Sequence, residues 1–325
     1  MDEVQRWIER LEAGADSYAC NGYLARLDPL NRTEIYTSLL HERLKRKCED
    51  TLRTYTSTGE DWEQTFFVML MKFMGAPANG KAFEMLAHRI PYRLLSWCLG
   101  SGRSLEALLI GGSGLLDAYR DDQYTLDLKR EFEYLTHKYD IKKMSPSMWK
   151  ISNIYPHNHP VIRMSQVAAI LSQKNFLIGN LTECRTPKDV EQLLCVEASE
   201  YWVDHFAPSV QSSSRVKRLG AEKSAILAIN VVVPLQYAYG NFKSGGSASK
   251  LCDRALDLLE SVAAENNFKV RRWTSAGLEI KSAFESQALI QLGDEYCDKA
   301  RCTRCPIGRR IIKSVERSCK LKENA

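Results

Sequence analysis

The sequence lacks the patterns that mark secreted and membrane-spanning proteins. Its first residues, Met1–Arg6, have no basic stretch followed by an apolar one, so no signal peptide is predicted. The strongly apolar run Ala225–Tyr239 is too short to span a bilayer and is interrupted by Asn230, Pro234 and Gln236. We therefore expect a cytoplasmic protein that does not act at a membrane, whose ten cysteines are reduced.

Diagnostic catalytic and nucleotide-binding motifs are also lacking. The sequence has no Gly-x-Gly-x-x-Gly or Gly-Lys-Ser/Thr signature, and no nucleophile–base pair or paired carboxylates at a diagnostic spacing. The glycine-rich break Gly111–Gly114 favours a close helix contact over a phosphate-binding turn. No catalytic residue is assigned from the sequence, and the question of enzymatic activity stays open.

Helical periodicity dominates what is present. The composition, 44% apolar and 26% charged, is that of a folded globular protein. Apolar residues recur at helical spacing in many segments, most regularly from Tyr124 to Tyr139 after the candidate cap Asp122. We predict an all-α array of roughly a dozen helices. We divide it into an N-terminal region, 1–211, and a C-terminal region, 212–325, at a polar linker, with one continuous domain as the alternative.

The net charge of +5 is concentrated at the C-terminus. Residues 297–325 contain nine Lys or Arg against three Asp or Glu, whereas the rest of the chain has 36 basic and 37 acidic residues. An excess of positive charge in one segment is typical of a phosphate-binding surface. The candidate nucleic-acid contacts are Lys299, Arg301, Arg304, Arg309, Arg310 and Lys313. The alternative is a solvated basic tail.

The same segment carries three cysteines at C-x4-C-x2-C spacing. A C-x2-C pair lets two thiolates reach one ion from a tight turn, and a third ligand five residues earlier can close on that ion. We predict a metal centre formed by Cys297, Cys302 and Cys305, with Cys319 as the fourth ligand. Thiolates suit both zinc and iron–sulfur clusters, so the spacing leaves the metal open, and reduced free thiols are the alternative.

Polar residues embedded in apolar helical runs suggest a second kind of site. A pocket between helices is hypothesised from such residues. Its candidate lining residues are Asn158, Arg163, Gln166, Asn230 and Gln287.

Short segments spread over most of the chain carry a family resemblance. They are Ser104–Leu109 with Gly111–Leu116, Glu133–Leu135 with Lys138 and Tyr139, Asn158–Pro160 with Arg163, Gln166 and Ala168, Ile229 and Asn230 with Pro234, Tyr239 and Gly240, Glu265 and Asn266, Ser286–Ile290, and Tyr296–Gly308. With these segments the sequence resembles an uncharacterised bacterial family, domain of unknown function 2851. The resemblance implies that the chain corresponds to the helical C-terminal part of longer members, whose N-terminal half looks like a restriction-nuclease-type fold. The family pattern has an arginine at the position of Tyr155 and a phenylalanine at that of His159, and it implies no activity.

Three functions follow from these observations. We predict a nucleic-acid-associated binding module with a Cys-ligated metal, zinc or iron–sulfur, near the C-terminus. The first alternative is an enzyme that acts on a nucleobase or nucleotide in an inter-helix pocket. The second is an accessory factor that binds a protein partner and has purely structural cysteines.

Overall fold

The computed structural model of the protein describes residues 20–155, 158–172, 178–242, 246–275 and 277–323. Within these ranges the chain is helical, which confirms the all-α prediction, and its strands form a single short hairpin, β1 (His205–Ala207) with β2 (Val210–Gln211). The α-helices are α1 (Asn21–Arg26), α2 (Pro29–Ser57), α3 (Trp62–Gly75), α4 (Gly80–Arg89), α5 (Tyr92–Cys98), α6 (Gly102–Glu106), α7 (Gln123–Tyr139), α8 (Pro160–Ser172), α9 (Ile178–Glu183), α10 (Pro187–Leu194), α11 (Ala221–Leu227), α12 (Val233–Phe242), α13 (Gly246–Ser261), α14 (Phe268–Thr274), α15 (Ala283–Leu292) and α16 (Pro306–Glu323).

Side-chain caps determine where several helices begin. Asp122 accepts a hydrogen bond from the Thr125 backbone N–H at 2.8 Å, and the Thr125 hydroxyl in turn accepts one from the Asp122 backbone N–H. The same reciprocal arrangement starts α10 and α15, at Thr186 and Ser282 respectively. Each cap satisfies backbone donors that the first helical turn leaves free. The predicted cap at Asp122 is thereby confirmed.

In the part of the chain that the structure describes, three helical segments widen into a π-helical turn of five residues. These turns are Ala107–Gly111 after α6, Ala228–Val232 between α11 and α12, and Gly293–Cys297 after α15. Such turns are rare in proteins, and those that do occur often lie at functional sites. One of them follows Glu106 directly and another ends at Cys297, so two of the three adjoin the candidate sites described below.

The chain divides into two compact units. Unit 1 contains residues 1–47 and 259–325, and unit 2 contains residues 48–258. The division falls within α2 and within α13. The sequence-based division into residues 1–211 and 212–325 describes two consecutive helical regions, and it stays a prediction.

The core of unit 2 is formed around α3, which is buried over most of its length and packs against α4. The π-helical turn Ala107–Gly111 packs closely on α7 in the same unit. A Cβ on Gly111 would lie 2.5 Å from the Phe132 ring, so only glycine permits this approach. The glycine-rich break therefore serves helix packing, as predicted.

The apolar segment Ala221–Phe242 has the length and hydropathy of a membrane span, and within the described ranges it is the one such candidate. Of its most apolar window, 61% is buried inside the structure. Gln236 in this segment is fully buried and donates to the carbonyls of Leu181 and Cys184 at 2.9 and 2.8 Å. The segment is thus packed as a core helix of unit 2.

Candidate metal centre and ligand cavity

The three clustered cysteines are brought together by the turn between α15 and α16. The π-helical turn ends at Cys297, and the backbone N–H of Arg301 donates to the Tyr296 carbonyl at 2.8 Å, which closes the loop. The N–H of Cys305 donates to the Arg301 carbonyl at 3.1 Å, and α16 begins at the next residue, Pro306. Proline suits this first position because its missing N–H would have no helical partner.

Gly308 allows the start of α16 to approach the cysteine loop. A Cβ at this position would lie 2.0 Å from the carbonyl oxygen of Cys302, which is backbone and unable to rotate away. The close approach gives the physical reason for a glycine at this position.

Four cysteines, and not only the three of the motif, share one small cavity in unit 1. Cys20, just before α1, joins Cys297, Cys302 and Cys305 around a space of about 20 Å³, which is completed by Tyr296 and Gly308. Within the described residues, no three His, Cys, Asp or Glu side chains are already placed so that they could hold a metal ion. The four thiols therefore line the cavity without converging on one point. The side chain of Cys319, the predicted fourth ligand, lies outside what the structure describes.

The thiols influence one another's protonation. A hydrogen bond between the sulfurs of Cys20 and Cys297 lowers the pKa of Cys20 and raises the pKa of Cys297. Burial raises the pKa of Cys302, and it raises the pKa of Cys305 to about 11. Removing the protons from this set requires a compensating cation, because thiolates crowded in a small space repel each other.

Polar contacts with α2 hold the beginning of the cysteine loop in unit 1. The Tyr296 hydroxyl donates to the Glu42 carboxylate at 2.8 Å, and burial raises the pKa of Tyr296 to about 12. Arg46 on α2 donates to Glu295 at 2.8 Å. These contacts fix the two residues that precede Cys297, so the orientation of the loop is determined by α2 as well as by its own turns.

The six predicted nucleic-acid contacts fall into two groups. Lys299 and Arg301 lie 2.6 and 3.9 Å from the Glu295 carboxylate. Arg310 donates to Asn31 and Glu34, at 2.6 Å in both cases. Arg304, Arg309 and Lys313 are exposed, and their side chains form no ion pair within the described part of the chain. We call these three residues the cationic strip.

Unit 2 contains a separate and much larger cavity. Its volume is about 660 Å³, within the range of small-molecule sites. It is lined by Gly102, Arg103, Glu106, Gln123, Tyr124, Asp127, Ser165, Ala168, Ala169, Ser172, Glu197, Ser199, Glu200 and Tyr201. Sequence reasoning did not single out this set, although an acid inside the apolar run Leu105–Ile110 is a signal that could have pointed to it.

Glu106 is the buried centre of this cavity wall. Only 3% of the residue is exposed, and its carboxylate accepts four hydrogen bonds from neutral donors. One oxygen accepts from the hydroxyls of Tyr124 and Ser199, the latter at 3.1 Å. The other accepts from the Ser165 hydroxyl and from the indole N–H of Trp202 at 3.3 Å. The carboxylate thus connects α6, α7, α8 and the segment before β1.

An aromatic stack stands beside the carboxylate. The rings of Tyr124 and Tyr201 are stacked with centroids 3.9 Å apart, and His205 stacks on the other face of Tyr201 at 4.1 Å. The Tyr201 hydroxyl donates to Asp122, the cap of α7. Burial and the neighbouring carboxylates raise the pKa of both tyrosines, so both hydroxyls are hydrogen-bond donors at neutral pH.

The residues predicted to line an inter-helix pocket do not form one set. Arg163 donates to Asn158 at 2.6 Å and to Gln166 at 2.9 Å, and burial lowers the pKa of Arg163 to about 10. Asn230, in the π-helical turn after α11, donates to the Ile226 carbonyl at 2.9 Å. Gln287 lies in unit 1, where its side chain bonds to Arg43 and Glu265. None of the five lines the large cavity.

Comparison with known proteins defines the family. A family model described as a protein of unknown function (DUF2851) matches residues 1–268, so the chain belongs to this family. The matched range contains Cys20 and all residues of the large cavity, whereas Cys297, Cys302 and Cys305 lie beyond it. No curated protein and no solved structure matches the chain.

Proposed function

We propose that the protein is a nucleic-acid-associated binding module whose C-terminal cysteines bind a metal ion. The observation that carries the proposal is the position of the cationic strip, on and directly after the loop that gathers the thiols. Arg304 lies between two of the clustered cysteines, and Arg309 and Lys313 follow in the first turns of α16. A metal bound by the loop would hold these cations in a fixed arrangement.

The spacing of the strip supports contact with a polyanion. Arg309 and Lys313 are one helical turn apart and therefore share a face of α16. Arg310, on another face, is paired with Glu34 and is less available to a phosphate. Exposed cations without acidic partners gain most from phosphate contact, since no existing ion pair has to be broken.

The salt dependence of binding tests this role. Each neutralised phosphate contributes about −0.7 to −0.9 to the slope of log K against log salt concentration. Replacing Arg304, Arg309 and Lys313 by alanine should therefore make the slope shallower by about 2 to 3. The matched control replaces Lys81, Arg120 and Arg215, three exposed basic residues of unit 2, by alanine. This control variant has the same change in net charge and should leave the slope unaltered. Binding of both variants is measured by fluorescence anisotropy with labelled single- and double-stranded oligonucleotides.

The large cavity favours a second candidate function, an enzyme that acts on a nucleobase or nucleotide. A buried carboxylate and donor hydroxyls can recognise the amino and carbonyl edges of a base, and the volume of about 660 Å³ accommodates one. Thermal-shift titration of the full chain with nucleosides and nucleotides tests it. A thermal shift that is present in the wild type and lost in Glu106→Gln supports this candidate function. The absence of a shift with every nucleoside and nucleotide tested removes it.

A further inference from the structure

Cys20 is the cysteine that completes the thiol set. It comes 277 positions before Cys297 in the sequence, yet it lines the same cavity. We propose that Cys20, Cys297, Cys302 and Cys305 bind one zinc ion, with Cys20 in place of Cys319 as the fourth ligand. This inference rests on the metal centre of the proposed function and does not depend on nucleic-acid binding.

The donor set and the size of the cavity select the metal. Four thiolates in a closed site are the usual ligands of structural zinc, at a metal–sulfur distance of about 2.3 Å. A space of about 20 Å³ holds one occupant of the size of a water molecule, since such an occupant needs about 10–15 Å³. A space of this size suits one ion, whereas a cubane cluster would require the cavity to widen. We therefore assign zinc and not an iron–sulfur cluster.

Zinc binding requires the four sulfurs to move onto one point, because no three of them are placed to hold an ion in the structure. A cysteine sulfur moves with a single torsion, so the four thiols can turn toward the centre of the cavity while the loop keeps its backbone hydrogen bonds. The four thiol protons pass to solvent as the ion binds, which leaves a centre with two negative charges. Lys299, Arg301 and Arg304 lie in the same loop and offset this charge electrostatically.

Zinc would then link the segment before α1 to the loop before α16 within unit 1. Both partners of the link are held independently. The N–H of Leu24 donates to the Cys20 carbonyl at 3.1 Å, and Arg310 on α16 is bonded to Asn31 and Glu34 on α2.

Metal content of single variants of the full chain tests the assignment. Zinc is measured by mass spectrometry after purification under reducing conditions and equilibration with zinc chloride. The wild type, Cys319→Ser and the control Cys252→Ser should each retain one zinc per chain. Cys20→Ser should bind zinc at least about 100-fold more weakly, because even changes outside the ligand shell weaken metal sites by about 10–100-fold. Retention by Cys20→Ser together with loss by Cys319→Ser would overturn the inference and leave the metal centre of the proposed function standing.

Alkylation of the unaltered protein provides a test that does not depend on how a variant folds. The chain is treated with N-ethylmaleimide, with and without a zinc chelator, and the labelled peptides are identified by mass spectrometry. Cys20, Cys297, Cys302 and Cys305 should be labelled only after chelation, whereas labelling of Cys195 and Cys252 should not depend on the chelator. Labelling of Cys20 that is unaffected by the chelator excludes it as a ligand. A metal-free chain with a disulfide between Cys20 and Cys297 also overturns the assignment.

Discussion

Replacement of Glu106 tests whether its carboxylate stabilises the fold as a buried hydrogen-bond acceptor. In Glu106→Ala, the donors of Tyr124, Ser165, Ser199 and Trp202 lose their common acceptor. An unsatisfied buried donor costs about 1–3 kcal/mol, and water admitted from the adjacent cavity favours the lower end of that range. Four donors at about 1 kcal/mol each lower the free energy of unfolding by about 4 kcal/mol.

Glu106→Gln should be much milder, because the two carboxylate oxygens have different partners. One faces two hydroxyls, Tyr124 and Ser199, which can rotate to accept from the glutamine NH₂ group. The other faces the Trp202 indole, which can only donate and therefore requires the amide oxygen. In this single orientation every group keeps a partner, and the expected loss is about 1 kcal/mol.

Urea unfolding followed by tryptophan fluorescence and circular dichroism measures both changes. Glu197→Ala is the control, because it removes an exposed carboxylate from the rim of the same cavity and should change stability by no more than about 0.5 kcal/mol. If Glu106→Gln were as damaging as Glu106→Ala, the specific orientation of the amide would be wrong. If Glu106→Ala lost less than about 1 kcal/mol, the carboxylate would not organise the cavity wall.

Two further perturbations follow from single contacts. Gly308→Ala places a methyl group against the Cys302 carbonyl and should destabilise the chain by about 1–3 kcal/mol, measured by thermal unfolding. The control is Gly179→Ala on α9, where the added methyl group enters open space and should be neutral or slightly stabilising. Burial lowers the pKa of His159 to about 4, so the unfolded chain takes up its proton first as the pH falls below about 6.5. Because of this difference in the pKa of His159, the free energy of unfolding should fall by up to about 3 kcal/mol from pH 6.5 to pH 4. His159→Phe should flatten that interval in urea titrations at each pH, and an unchanged pH profile would show that His159 is not the titrating group.

The fold could be predicted because its signals are local. Apolar spacing along α7 and the cap at Asp122 lie within 18 consecutive residues, and each determines helical structure without reference to the rest of the chain. The glycine-rich break was interpreted correctly for the same reason, since three glycines within four positions after a helical pattern indicate a close neighbour. That neighbour, Phe132, could not be named from the sequence, because the contact depends on how α7 packs.

The candidate sites could be predicted only where their residues are close in sequence. The motif of Cys297, Cys302 and Cys305 forms within one turn, and the structure places all three on one cavity. Cys20 has no sequence relation to the motif and is brought there by the packing of unit 1. The large cavity shows the same limit, because its lining comes from α6, α7, α8 and the segment before β1. Gln287 illustrates a different case, in which a buried amide bonds to Arg43 and Glu265 and does not line the large cavity.

The two candidate sites can be separated experimentally because they share no residue and lie in different units. Glu106→Gln should leave zinc content and the salt dependence of nucleic-acid binding unchanged, whereas Cys20→Ser should leave any ligand-induced thermal shift of unit 2 unchanged. The family match covers all of the large cavity but only Cys20 of the thiol set. If either variant lost both zinc binding and the ligand-induced thermal shift, the two sites would depend on each other, and the two proposals would become one.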